Sequence, residues 1–234
     1  AMLASACPQE AMDLGAVAHL AAIKARHPFM HFFDGFRTSH ELQKIDALDY
    51  EDLRPLVDMD QLNAFRKHSL NPEHPHVRGT TASSETFFQG REAGNGHYDA
   101  IPDIVQHYMD EINKLTGRNY KLFDYYGAPD AEEVVVVMGS GAETARETVD
   151  YLMSQGRKVG MISVHLFRPF SAKHFLSVLP ETVRKVAVLD RTKESGSVGE
   201  PLYLDVKAVL TGSGRSFDAI VGGRFGLAAK DTTP

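Results

Sequence analysis

The sequence predicts an α/β protein. Its core is a three-layer α/β/α, doubly wound, mostly parallel sheet over residues 130–224, preceded by a second, less regular α/β portion. Three observations predict it. Short β-branched runs such as "EVVVVM" are apolar on both faces, as a strand buried between two helix layers must be. Each run is followed by a helical stretch, so strand and helix alternate in the manner of crossover connections. The composition, 43% hydrophobic and 24% charged over 234 residues, is that of a globular protein of one large or two modest domains, at roughly 100–200 residues each.

The opening stretch to His27 reads as a helix. Met12, Val17, Leu20 and Ile23 fall at near-helical spacing, while Lys24, Arg26 and His27 put positive charge in the last turn, and Pro28 stops it. No basic stretch precedes its apolar residues, so it does not read as a signal peptide. "FMHFF" follows as a strand, with Asp34-Gly35 as the turn at its carboxyl end. Ligands of open α/β sheets bind at such ends. The stretch is either a ligand-facing strand end or an ordinary strand-to-helix connection. A second helix is expected from Thr38, capped by Thr38 or Ser39, with Glu41 placed as in a capping box. Helical character returns around residues 59–69. The next stretch, "NPEHPHVRGTTASSETFFQGREAGNGHYDAIP", is rich in Pro, Gly, Ser and Thr and reads as a linker or long surface connection. His74 and His76 within it lack the Cys or carboxylate neighbours of a metal site.

Regular alternation begins at residue 101. Ile101, Ile104, Val105, Tyr108, Ile112 and Leu115 form one helical stripe ended by Gly117. "EVVVVM" is a strand, "AETARETVDYLMSQG" a helix stopped by Gly156, "KVGMISVHLF" a strand and "SAKHFLSVL" a short helix. "RKVAVLD", "GEPLYLDVKAVLTG" and "FDAIVGG" complete the pattern as strand, helix and strand.

Bulk properties exclude several functions. A net charge of −6 and a pI of about 6.0 give no cationic surface for nucleic acid. The apolar runs fall far short of the roughly 20 residues that cross a bilayer. The single Cys7 can form neither an internal disulfide nor an iron–sulfur site, which takes about four thiolates. Such usage fits the reducing cytoplasm.

Two loops invite a binding role. Gly139 and Gly141 in "VMGSGAET" lie between strand and helix, as in a dinucleotide fingerprint, but Thr144 takes the third glycine's place and the next strand lacks a ribose-binding acid. Ser140 is no nucleophile elbow, because Met138 and Ala142 stand where that turn needs glycines. In "LDRTKESGSVGEPLYLDV", Asp190 ends a strand and Arg191 and Lys193 follow, with Gly196 and Gly199 loosening the loop. These groups could hold an anion or face a partner domain; equally, Asp190 and Arg191 could pair within a connection. Gly139, Ser140, Asp190 and Arg191 are the candidate cofactor-binding positions. No catalytic residue and no metal ligand is assigned.

Taken together, "HFFDGFRTSHE", "NPEHPHVRGT", "FQGREA", "YKLFDYYGAPDAEEVVVVMGSGAET", "RPFS" and "VLDRTKESGSVGEPLYLDV" resemble pyruvate:ferredoxin (flavodoxin) oxidoreductase, in order and through nearly the whole chain. The resemblance is to an internal part of that multidomain family. It implies that residues 1–98 are the C-terminal portion of the thiamine-diphosphate pyrimidine-binding domain plus a linker, and that residues 99–234 are a transketolase C-terminal-like domain. The family uses thiamine diphosphate, magnesium, iron–sulfur clusters and coenzyme A. Its members are homodimers that pass electrons from pyruvate to ferredoxin or flavodoxin. The cluster cysteines and the Gly-Asp-Gly pyrophosphate segment are not in this sequence, and the family's cofactor- and pyruvate-contacting residues belong upstream of it. No cofactor is therefore expected in this piece. Its expected role is architectural, with the remaining domains of the longer chain as partners and exposed apolar patches where they would pack. The start inside a helix-forming stretch, with no obvious preceding strand, and the close on "GRFGLAAKDTTP" fit a piece of a longer protein. The competing expectation is a self-standing, non-catalytic α/β module that holds a small anion at the carboxyl edge of its sheet.

Overall fold

A computed structural model describes residues 1–40, 42–75, 79 and 81–234. Two sheets form its frame. In the smaller, β1 (Met2–Ala4) lies between β2 (Met30–Phe32), to which it is parallel, and β6 (Leu166–Arg168), to which it is antiparallel. Helix α1 (Pro8–Ala25) joins β1 to β2. Pro8 suits the first helical turn, where its missing N–H costs nothing, and Arg26 ends the helix in the left-handed conformation. Leu14, Val17, Leu20 and Ala21 form its buried stripe. Met12, expected on that stripe, is 37% exposed.

The first residues are thus a strand, contrary to the expectation of a helix with nothing before it. A three-residue strand carries no readable alternation, and both its partners lie far off in sequence. The helix expected from Thr38 is the single turn α2 (Arg37–His40). Ser39 sits inside that turn and donates to the Phe36 carbonyl at 2.8 Å rather than capping it. Glu41 and His76 lie outside the described residues. Helix α3 (Tyr50–Leu53) and helix α4 (Met59–Lys67) follow, the latter capped by Asp58, which accepts from the Gln61 N–H at 2.9 Å.

The stretch read as a linker contains α5 (Ser84–Ala93) and the start of α6 (Asn95–Thr116). Gly94, Gly96 and Pro102 read as breakers, yet Pro102 is carried inside α6 and buried. Packing of α6 on α1 overrides the local cost. Ile101, Val105, Tyr108 and Ile112 are buried as expected, Leu115 is not, and Gly117 caps the helix at φ 72°.

The larger sheet has the order β3-β5-β4-β7-β8: β3 (Phe123–Gly127), β5 (Val159–Val164), β4 (Glu133–Val137), β7 (Lys185–Asp190) and β8 (Ala219–Arg224). All are parallel except β3, an unforeseen antiparallel edge. Val134 and Val136 join the main core with Leu202, Val206 and Leu210 of α9 (Pro201–Gly212) and Phe175 of α8 (Ala172–Val178). Val137, on the opposite face, packs with Ala142 and Val149 of α7 (Gly141–Ser154). Helices therefore cover both faces, and the sheet is the middle of three layers.

"KVGMISVHLF" is not one strand. It leaves the larger sheet at Val164 and enters the smaller at Leu166. His165 sits at the crossing, its N–H on the Leu122 carbonyl (3.0 Å) and its carbonyl on the Ala4 N–H (2.7 Å). One continuous core results, running from Leu3 and Leu14 through Ile112 and Phe123 to Val136 and Leu202. No helix among the described residues is long and apolar enough to cross a membrane.

Phe175 is fully buried, with its ring centroid 5.5 Å from that of Phe123 and 5.6 Å from that of Phe170. Phe175→Ala is expected to lower unfolding stability by about 3–5 kcal/mol in urea titration. A loss below about 1 kcal/mol would show that the core is loosely packed there.

Candidate functional site

Strand order reverses between β4 and β7. From β4 the chain moves to β5 on one side, then returns past β4 to β7 and β8 on the other. The carboxyl ends of β4 and β7 flank the crevice where open α/β proteins bind ligands. Asp190, the last residue of β7, stands there with Arg191 after it and with Gly139 and Ser140 just beyond the end of β4.

The crevice is filled from within the chain, by Asp34 in the turn after β2. One carboxylate oxygen accepts the Ser140 N–H, and the other lies 3.1 Å from Arg191 Nη1. Ser140 is the N-cap of α7, so the carboxylate occupies the end of the helix where free N–H groups and the helix dipole favour an anion. Gly139 makes room for it. Its φ is +77°, and a Cβ there would come within 2.8 Å of Asp34 Oδ2. Arg191 also donates to Ser140 Oγ (3.2 Å) and to the Gly226 carbonyl (3.1 Å).

Asp190 bonds in another direction. Its carboxylate accepts the Leu202 and Tyr203 N–H groups at 2.9 and 3.1 Å and so caps α9. Burial raises its pKa above the usual carboxylate range, against the pull of those two N–H donors. Asp190 and Arg191 thus bind separate partners instead of each other. The loop between them and α9 is organised by Glu200, which is 4% exposed. It accepts the Glu194 N–H (2.7 Å) and Arg224 Nε (2.5 Å), with Lys193 Nζ at 3.6 Å.

Beside Asp34 lies a cavity of about 520 Å³, bounded by the ends of β1, β2, β4 and β7 and lined largely by Phe32, Phe33, Phe36, Met138 and Phe167. Phe36 has φ 56°, a conformation a bulky side chain rarely adopts. A neighbouring hollow of about 630 Å³ is lined by Cys7, Ser140, Glu143, Arg191 and Lys230. Among the described residues no group of three or more His, Cys, Asp or Glu could hold a metal ion. The start of α7, the position in this crevice that most favours an anion, already holds the Asp34 carboxylate.

The family model described as pyruvate flavodoxin/ferredoxin oxidoreductase, thiamine diphosphate-binding, matches residues 1–110, and that of pyruvate:ferredoxin oxidoreductase core domain II matches residues 131–228. The chain belongs to the pyruvate:ferredoxin (flavodoxin) oxidoreductase family. It is 60% identical to the pyruvate:ferredoxin oxidoreductase of Moorella thermoacetica and 57% identical to the pyruvate-flavodoxin oxidoreductase of Enterobacter agglomerans, in each case over 100% of this chain and 20% of the relative. It therefore spans 20% of the length of these oxidoreductases. The fold is similar to that of a 2-oxoglutarate:ferredoxin oxidoreductase from Magnetococcus marinus, with a TM-score of 0.53 at 14% identity, covering 97% of this chain and 39% of that one.

The motif reading singled out the two loops that meet at the switch point but missed Asp34, which contacts both. A signal was present: "FFDG" also puts an acid at the carboxyl end of a strand.

Asp34→Ala leaves the Arg191 guanidinium and the Ser140 N–H without their carboxylate, and is expected to cost about 1–3 kcal/mol. Inorganic phosphate should then raise the thermal midpoint of the variant more than that of the unaltered protein. An equal response in both would show that Asp34 does not occupy an anion seat.

Proposed function

We propose that this chain is a structural and interdomain part of a pyruvate:ferredoxin (flavodoxin) oxidoreductase and has no activity alone. The whole enzyme would convert pyruvate, coenzyme A and an oxidised acceptor to acetyl-CoA, carbon dioxide and reduced ferredoxin or flavodoxin. It would use thiamine diphosphate, magnesium and iron–sulfur clusters held elsewhere in a longer cytoplasmic chain, itself a homodimer. Residues 1–98 are assigned to the end of the pyrimidine-binding domain with its linker, and residues 99–234 to the transketolase C-terminal-like domain. The names and lengths of the relatives and the two family matches support the family part of this reading.

The architectural part rests on one observation: the carboxylate of Asp34, from the first assigned domain, occupies the switch point of the second. A crevice that serves ligands in other α/β proteins serves here to join two pieces of one chain. The small-anion module has its seat taken by the same carboxylate. Exposed aromatic side chains, among them Phe33, Phe36, Phe87 and Phe88, offer surface for the remaining domains to cover.

Isothermal titration of the 234-residue protein with thiamine diphosphate and magnesium, and separately with coenzyme A, is expected to give no binding. Stoichiometric binding of either ligand would contradict the architectural role and return Ser140, Asp190 and Arg191 to consideration as ligand contacts.

A further inference from the structure

The crossing between the sheets contains a buried polar cluster that the architectural role does not require. His165 is 2% exposed. Its Nδ1 lies 2.7 Å from the Lys121 carbonyl, an acceptor, so Nδ1 carries a proton. Nε2 lies 3.4 Å from Glu10 Oε2 on α1, an ion-pair distance without hydrogen-bond alignment, and Asp124 Oδ2 of β3 is 3.4 Å from Nδ1.

These contacts decide the charge of the ring. A neutral imidazole with its proton on Nδ1 would turn the bare lone pair of Nε2 toward the Glu10 carboxylate. That carboxylate already accepts the Ala6 N–H at 2.6 Å and has no proton to offer in its ionised form. Two acceptors would then face each other in a buried site, at a cost that a second ring proton removes. The ring is therefore an imidazolium between two carboxylates.

We infer that Glu10, His165 and Asp124 form a proton-operated latch that holds the smaller sheet and α1 against the larger sheet. The cluster is well placed for this. His165 is the one residue between the two strands of the crossing run, Glu10 belongs to α1 and Asp124 to β3. Through the Ala6 N–H, Glu10 also sets the turn from Ser5 to Cys7, and that turn contributes to both cavities at the switch point.

Other charged groups flank the cluster. On α1, Asp13 is fully buried and accepts from Tyr120 Oη (2.7 Å), whose ring packs edge-on against His165, and Arg118 Nε is 3.4 Å from Asp13. Arg146 of α7 acts on Glu10, and Lys121 on Asp124. Burial alone would lower the imidazole pKa, but Glu10, Asp124 and the Lys121 carbonyl outweigh it and push it up to about 9. Burial likewise works against the Glu10 charge, and His165 and the Ala6 N–H overcome it, holding that carboxyl below its usual range. Burial raises Asp124. The sign follows from the imidazole: a raised folded value gives stability that is complete below the ordinary value of 6.5 and is lost as pH rises through about 9.

The test is nitrogen-edited NMR of the unaltered 234-residue protein, with its histidines assigned. Both ring nitrogens of His165 are expected to be protonated at pH 7.5. The ring should lose a proton only at alkaline pH, together with a loss of protection, taken relative to the intrinsic exchange rate at the same pH, at the Ala4 amide, which bonds to the His165 carbonyl. A ring with one unprotonated nitrogen at pH 7.5 would overturn the latch. In a second measurement, Glu10→Gln should flatten the fall in thermal midpoint between pH 7 and pH 9.5. An unchanged alkaline fall in that variant would also overturn it. His165→Gln is not needed, so a variant that fails to fold leaves the test intact.

Discussion

The run from Val159 to Arg168 hydrogen-bonds in both sheets, and the rest of the structure depends on that double membership. Its first part pairs with β4 and β3, and its last part pairs with β1. Because β1 is in turn registered against β2, with Leu3 opposite His31 and Ala4 opposite Phe32, the end of β2 is carried to a fixed place relative to the larger sheet. That place is the switch point between β4 and β7. Asp34 reaches Ser140 and Arg191, more than a hundred residues away, because three strand registers in series put it there.

At this switch point the polar groups are satisfied by one another. Asp190 caps α9, Glu200 gathers its own loop, and Asp34 neutralises both Arg191 and the start of α7. Buried or half-buried charges of this kind are costly to leave unpaired, so the arrangement favours one geometry over nearby alternatives. A site that awaits a ligand normally keeps donors free. Here the donors already have an intramolecular carboxylate, and the same logic recurs at His165, where a buried ring is held between Glu10 and Asp124.

Much of the larger sheet was legible from local pattern. "EVVVVM" and "RKVAVLD" are apolar on both faces and gave strands within a residue or two, and the intervening helices announced themselves by stripe and by Gly156. Elements defined by distant partners were not legible. Strand β1 has three residues and no period of its own, β3 is an edge strand in an aromatic stretch, and the crossing at His165 is hidden inside what looks like one apolar run. Helices α5 and α6 begin among Gly, Ser and Pro residues that local rules read as breakers; packing on α1 accounts for α6, whereas α5 is exposed along its length. At the site, spacing singled out four candidate positions, but Asp34, which meets Gly139, Ser140 and Arg191, lay in a stretch read separately. The family resemblance rested on several motifs in fixed order and so carried further than any single loop.

The most direct test of this account is native-state hydrogen exchange at pH 7, because it separates one cooperative body from two pieces in contact. The amides of Ala4 and Ser5 in the N-terminal portion, and of Leu166 in β6, should open with the same free energy and denaturant dependence as those of Val136 and Ile162 in the larger sheet. If Ala4 and Ser5 instead exchange through a separate, lower-energy opening while Val136 and Ile162 stay protected, the double-sheet run does not bind the two portions into one unit, and the central claim fails.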